Sequence, residues 1–234
     1  SPAILFSEDF SFFVAIFFSL VVKIQTNYRL DYQSYYHLLK YLIHLHISKL
    51  RIMFSSLFGK KEADIPGHLF TDRAYMTTIA KMHACIELAE KDKSYLFIAW
   101  FKDTATAFRK YFLEHGASEN LVIEVKEFHT SRLVNHKPVF VEHYPLHTTE
   151  EALVKDWKQE KIIVYSALDE PLFKHFGSEK IIPMMKLMGM KENEVIEHNM
   201  VTKSIIKGQH KIEEQVTVEQ AANSQEDWMK RNLG

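Results

Sequence analysis

The chain has 234 residues, of which 47% are apolar and 25% charged, with a formal net charge of -1. That length suits one domain with an appendage, and the apolar fraction suffices for a core, so neither a disordered chain nor a membrane bundle is expected. Charge this balanced supplies no basic field for nucleic acid, and a single cysteine, Cys85, allows no internal disulfide, which fits a reduced, cytoplasmic setting.

Residues 1–52 differ in composition from the rest. They contain no glycine, and they hold 11 of the 30 aromatic residues, so a change of origin is expected near Met53, the first methionine. The expectation is that this stretch is translated upstream sequence. Its apolar run, Phe10–Val22, leaves two rival readings, a membrane anchor and a soluble helical extension. As a membrane span it is short against the roughly 20 apolar residues required. As a signal peptide it lacks a basic lead, because Glu8 and Asp9 precede the run. Membrane contact is expected only if residues 1–52 belong to the native protein.

The body is expected to run from 53 to 176. Ser55–His68 is a polar lead-in with Gly59, Pro66 and Gly67. Thr71 reads as a helix cap, followed by Met76, Ile79, Ala80, Met82, His83, Ile86 and Leu88 at helical spacing to about Lys91. Cys85 falls within this pattern and reads as a small buried hydrophobe. Tyr95–Phe101 is a nearly continuous apolar run, as in a strand buried on both faces. A helix over Thr104–His115 follows, stopped by Gly116. Leu121–Val125 and Pro138–Glu142 are the second and third strands. Thr148–Trp157 is a helix with hydroxyl and acidic groups at its start. Lys161–Leu168 is the fourth strand, and Asp169, Glu170 and Pro171 open another helix. Alternating strands and helices predict an α/β fold with a mostly parallel sheet of about four strands.

From 177 to 234 the pattern is all helical. Ile181, Met185 and Met188 form one stripe. Val201, Ile205, Ile212 and Val216 form a second, a candidate interaction face that includes Gly208. Ala221, Ala222, Trp228 and Met229 belong to a third.

Catalytic patterns are missing within these 234 residues. No GxxxxGK[ST] loop and no GxGxxG occur, and the seven glycines are scattered. Only Arg109 and Arg132 lie between the first and fourth expected strands, so no arginine-rich motif for phosphoryl transfer is present there. His143 and His147 stand four apart, but Pro145 separates them and no HExxH surrounds them, so no metal and no cofactor are expected. The candidate site residues are Asp103, Glu142 and Asp169, each at the carboxyl end of an expected strand, the edge where open parallel sheets bind ligands. Asp103 and Asp169 also have a plainer reading as helix caps.

The stretch Tyr165–Val216 resembles SecA, the preprotein translocase motor ATPase, where its second nucleotide-binding domain passes into its helical scaffold. The segment YSALDEPLFKHFGSEKI is similar to that family's strand, acidic pair and helix. MMKLMGMKENEVIEHNMVTKSIIKGQHKIE follows it in order and spacing, and Asn223-Ser224-Gln225 looks like the NSQ found further on. The likeness is specific over about fifty residues, and for Tyr95–Leu168 it implies only a degenerate RecA-like domain. The family's first nucleotide-binding domain is missing, as are the arginine motif expected just before Ile162, the preprotein-crosslinking part and the zinc-binding part. Motor activity therefore does not carry over. The resemblance implies a degenerate, truncated, non-catalytic relative that works through an unidentified protein partner near secretion. The alternative is a nucleotide-binding domain of a SecA-type translocase with residual ATP affinity.

Overall fold

The structure of the chain is a computed structural model. It divides into two compact units, Ser1–Phe54 and Ser55–Gly234. The structure describes residues 69–157, 159, 161–187 and 189–234, all in the second unit. The expectations for residues 1–52, for the apolar run Phe10–Val22 and for a start at Met53 lie outside the described residues.

Five strands form one sheet: β1 (Phe70–Tyr75), β2 (Tyr95–Ala99), β3 (Val122–Glu124), β4 (Lys137–Phe140) and β5 (Ile162–Ala167), in the order β1-β5-β4-β2-β3. Every pairing between them is parallel. Among the described residues the α-helices are α1 (Thr78–Lys91), α2 (Lys102–Glu114), α3 (His147–Val154), α4 (Pro171–His175), α5 (Ser178–Leu187), α6 (Asn199–Glu213) and α7 (Gln225–Leu233). The fold is therefore parallel α/β with a helical C-terminal tail, in agreement with a RecA-like architecture.

One strand corrects the expected pattern. Thr71 lies inside β1, and Thr77 is the residue that caps α1, its hydroxyl accepting from the Ala80 N–H at 3.2 Å. The inward row of β1 is Phe70, Asp72 and Ala74, all buried. A carboxylate in the buried row hides the alternation by which a strand is recognised. The antiparallel bridge from Ala74 to Ile196 covers one point of its outer edge.

Two apolar layers sandwich the sheet. On one face α1 and α2 pack Met82, Cys85, Ile86, Phe108 and Phe112 against Phe97, Val139 and Tyr165. Cys85 is fully buried, and burial pushes its thiol up, as suits a core residue. On the other face Phe70, Leu96, Ile98, Phe140, Ile162 and Val164 pack with Val154, Trp157, Leu172, Ile212 and Trp228. Ile212 and Trp228 belong to α6 and α7, and both are 0% exposed, so the tail shares the core of the body. Burying one such side chain is worth roughly 1.5–3 kcal/mol.

The tail is less continuous than the sequence suggests. Between α6 and α7 the chain is irregular through Ala221 and Ala222, until Ser224 caps α7 by accepting from the Asp227 N–H at 3.1 Å. Val216 lies beyond α6, half-buried against the core. Among the described residues no helix is long and apolar enough to cross a membrane.

Candidate functional site

In an open parallel sheet the ligand crevice lies outside the carboxyl ends of neighbouring strands whose connections leave toward opposite faces. Here that place is between β2 and β4. The chain leaves β2 into α2 on one face, and leaves β4 toward α3 on the other.

Glu142, two residues beyond β4, fills this crevice. Its Oε1 accepts the N–H groups of Trp100 and Phe101, each at 3.0 Å, and its Oε2 accepts the Thr104 hydroxyl at 2.8 Å. Trp100 and Phe101 immediately precede α2 and Thr104 lies in its first turn, so the carboxyl group sits at a helix start, where the dipole favours an anion. An anionic ligand would bind at such a position, and the protein supplies its own carboxyl group instead. Glu142 is 3% exposed, and burial pushes it up to about 7, against the charge of Lys81.

Asp169 acts on a different helix from the one it precedes. Its Oδ1 accepts the Thr78 N–H at 2.8 Å and the Thr78 hydroxyl at 2.7 Å, so it caps α1 across the sheet. Asp103 is exposed in the first turn of α2, and its backbone N–H donates to the Asn223 carbonyl at 3.0 Å. The carboxyl edge thus gathers Glu142 and Asp169 as caps and leaves Asp103 at the surface.

Two buried groups that the sequence reading did not mark as site residues, Lys81 and Glu170, complete this edge. Lys81, on the sheet-facing side of α1, donates to Glu170 and to the Val141 carbonyl. Glu170 also accepts the Ala167 N–H at 3.0 Å. A lysine among Met82, Cys85 and Ile86 on an apolar helix face was the available signal, since such a group is rarely buried without a partner.

His143 is the centre of a second buried cluster. Its Nε2 lies 3.0 Å from Asp72 Oδ1, and its Nδ1 lies 3.0 Å from Glu150 Oε1. Burial alone would lower its pKa. The Glu150 charge and hydrogen bonds to Asp72 and Glu150 outweigh that and hold it at about 10, so the ring is an imidazolium at neutral pH. Glu150 Oε1 also accepts the Tyr144 N–H at 2.6 Å, and its Oε2 accepts from Gln209 Nε2 at 2.9 Å. His147 does not join His143. It pairs with Glu151 at 3.2 Å and meets the His210 ring edge-on at 5.1 Å. Among the described residues no group of three or more His, Cys, Asp or Glu could hold a metal ion.

The stripe of candidate interaction residues is divided by the fold. Ile205 and Ile212 are buried against the body, and Val201 and Val216 are half-buried. Gly208 lies under the Phe176 ring, where an added Cβ would come within 2.8 Å of Phe176 Cε2.

No family model matches the chain. It is 49% identical over 53 residues to the protein translocase subunit SecA of Chlorobium phaeobacteroides strain BS1, which covers 23% of this chain and 5% of that protein. It is 51% identical over 49 residues to SecA of Acidithiobacillus ferrooxidans, covering 21% of this chain and 5% of that one. It is 45% identical over 53 residues to SecA of Chloroherpeton thalassium, with the same 23% and 5% coverage as the first. The matched stretch thus spans one-twentieth of the relatives' length, and what it establishes is that this chain carries a SecA-related segment of about fifty residues.

Proposed function

We propose that this chain is a non-catalytic, degenerate relative of SecA that acts through contacts with a protein partner in protein secretion. The observation that carries the reading is Glu142. The place where an open parallel sheet offers a helix N-terminus to a ligand's anion is occupied by the protein's own carboxyl group. Lys81, the buried ammonium of the same edge, is engaged by Glu170 and by a main-chain carbonyl. The lack of a phosphate-cradling loop and of an arginine-rich motif in these 234 residues supports it further, because phosphoryl transfer rests on positioning and charge stabilisation. The link to secretion rests on the likeness to SecA, named in each relative as a protein translocase subunit.

A phosphate-release assay on the pure chain with ATP and Mg²⁺ tests the first half, and the expected rate equals the buffer blank. Turnover that disappears in Asp169→Ala would overturn it. Saturable binding of ATP without turnover would favour the residual-affinity reading. Affinity capture from the native cell, with crosslinking, tests the second half. Partners drawn from the secretion machinery are expected, and a partner set without them sinks it.

A further inference from the structure

α6 has two unlike faces. Thr202, Ile205, Gly208, Gln209 and Ile212 are buried against the body. The opposite face presents Lys203, Lys207, His210 and Lys211, all exposed, with Ile206 half-buried among them. Together with Glu214 these side chains line an open groove of about 420 Å³. The ring of Phe176, 42% exposed, lies against Gly208 at the border of the row.

The row is basic because the nearest carboxylate is turned away from it. Glu213 accepts the Thr148 N–H at 2.7 Å and the Thr148 hydroxyl at 2.9 Å, and it pairs with His210 at 2.8 Å. The ammonium groups of Lys207 and Lys211 form no ion pair among the described residues. Like charges four positions apart weaken a helix, so Lys203, Lys207 and Lys211 oppose the formation of α6, and burial of its other face offsets them. With a net charge of -1 on the whole chain, this row is a local excess and not part of a general positive field.

We propose that this face of α6 docks an acidic amphipathic helix of a protein partner. Carboxylates at every fourth position of that helix would meet Lys203, Lys207 and Lys211, and its apolar side chains would meet Ile206 and Phe176. Residues four apart on a helix stand about 5–6 Å from each other, so a second helix can match the lysines in register. Glu214 ends the row with the opposite charge. It calls for a cation at the matching end of the partner, and it repels a continuous polyanion such as nucleic acid or an anionic lipid surface. The proposal rests on the reading that this chain works through a protein partner, and it names the surface which that partner presents.

The test is fluorescence anisotropy of a labelled acidic peptide titrated with the full chain. The peptide is roughly 20 residues long, with Glu at every fourth position, Leu on the adjoining face and Lys at one end. Saturable binding is expected, weakening as salt rises from about 0.03 M to about 0.3 M. Lys203→Glu, Lys207→Glu and Lys211→Glu together are expected to weaken it about tenfold. The same reversals at Lys91, Lys93 and Lys102, exposed lysines outside α6, change the net charge equally and are expected to leave binding within about twofold. Should the reversed row not fold, glutamine at the same three positions replaces it. No binding, unchanged binding in the row variant, or equal weakening by both sets overturns the proposal. Vesicles of phosphatidylcholine with about 30% phosphatidylglycerol are the second probe. Co-sedimentation that is lost in the row variant would assign the face to lipid and overturn the proposal as well. Such a failure leaves the link to secretion standing, because crosslinked capture from the native cell decides that separately.

Discussion

Gln209 reaches from α6 to Glu150 on α3, its Nε2 lying 2.9 Å from Oε2, although the two residues stand 59 positions apart. The same amide donates to the Tyr144 carbonyl at 2.7 Å. Its counterpart on α7 is Gln225, whose Nε2 donates to the His143 carbonyl at 2.9 Å while its Oε1 accepts the Leu172 N–H at 2.8 Å. α6 and α7 thus each insert one buried glutamine into the segment that leaves β4.

Replacing Gln209 by Ala removes the donor to two acceptors, of which Glu150 is buried. An unsatisfied buried polar group costs about 1–3 kcal/mol, and that is the loss expected in urea unfolding. Gln209→Glu should cost more, because it sets a second carboxylate against Glu150. A stability equal to wild type in Gln209→Ala would mean that water replaces the amide without loss.

Ile212→Ala tests whether the tail belongs to the core. The side chain is 0% exposed and packs in the same cluster as Leu96, Phe140 and Val164. The expected cost is about 2–5 kcal/mol, with one cooperative transition for sheet and tail together. Two separate thermal transitions would show that the tail melts independently.

The imidazolium of His143 predicts an alkaline loss of stability. Its pKa in the folded protein, about 10, lies above its ordinary 6.5, so folding favours the protonated ring. The contribution is fully present below about pH 6.5 and is lost as pH rises through about 10. Denaturant midpoints should fall over that window in the wild type. Comparison with Glu142→Gln, whose own linkage ends near pH 7, isolates the higher part of the window, and His143→Gln should lose the slope there.

Gly208→Ala should change stability by less than about 1 kcal/mol. Alanine gains up to about 1 kcal/mol of helix propensity over glycine. Against that, its Cβ meets the Phe176 ring, whose nearest atom is 2.8 Å away, but this ring is 42% exposed and can swing toward solvent. Gly208→Leu has no comparable escape and should be clearly destabilised in the same unfolding assay.

Much of the architecture is legible in short windows of the sequence. The apolar runs at Tyr95–Ala99 and Ile162–Ala167 and the three-and-four spacing in α1 and α2 are local patterns, and so is the Ile205–Ile212 stripe of α6. The backbone must satisfy its own hydrogen bonds within such windows, which is why periodicity reports them. Likewise Glu142 and Asp169 were marked by their place after a strand. What each of them does was decided by the tertiary structure. Asp169 caps α1, whose first residue lies 91 positions earlier, and Glu142 caps α2 from 38 to 42 positions later. β1 stayed hidden because Asp72, in its inward row, reads as polar until His143 arrives beside it from 71 positions away. The burial of Lys81, Glu150, Gln209 and Gln225 leaves no local mark for the same reason. A buried polar group is tolerated only when its partner is present, and partners from distant parts of the chain leave no periodic mark in the sequence around it.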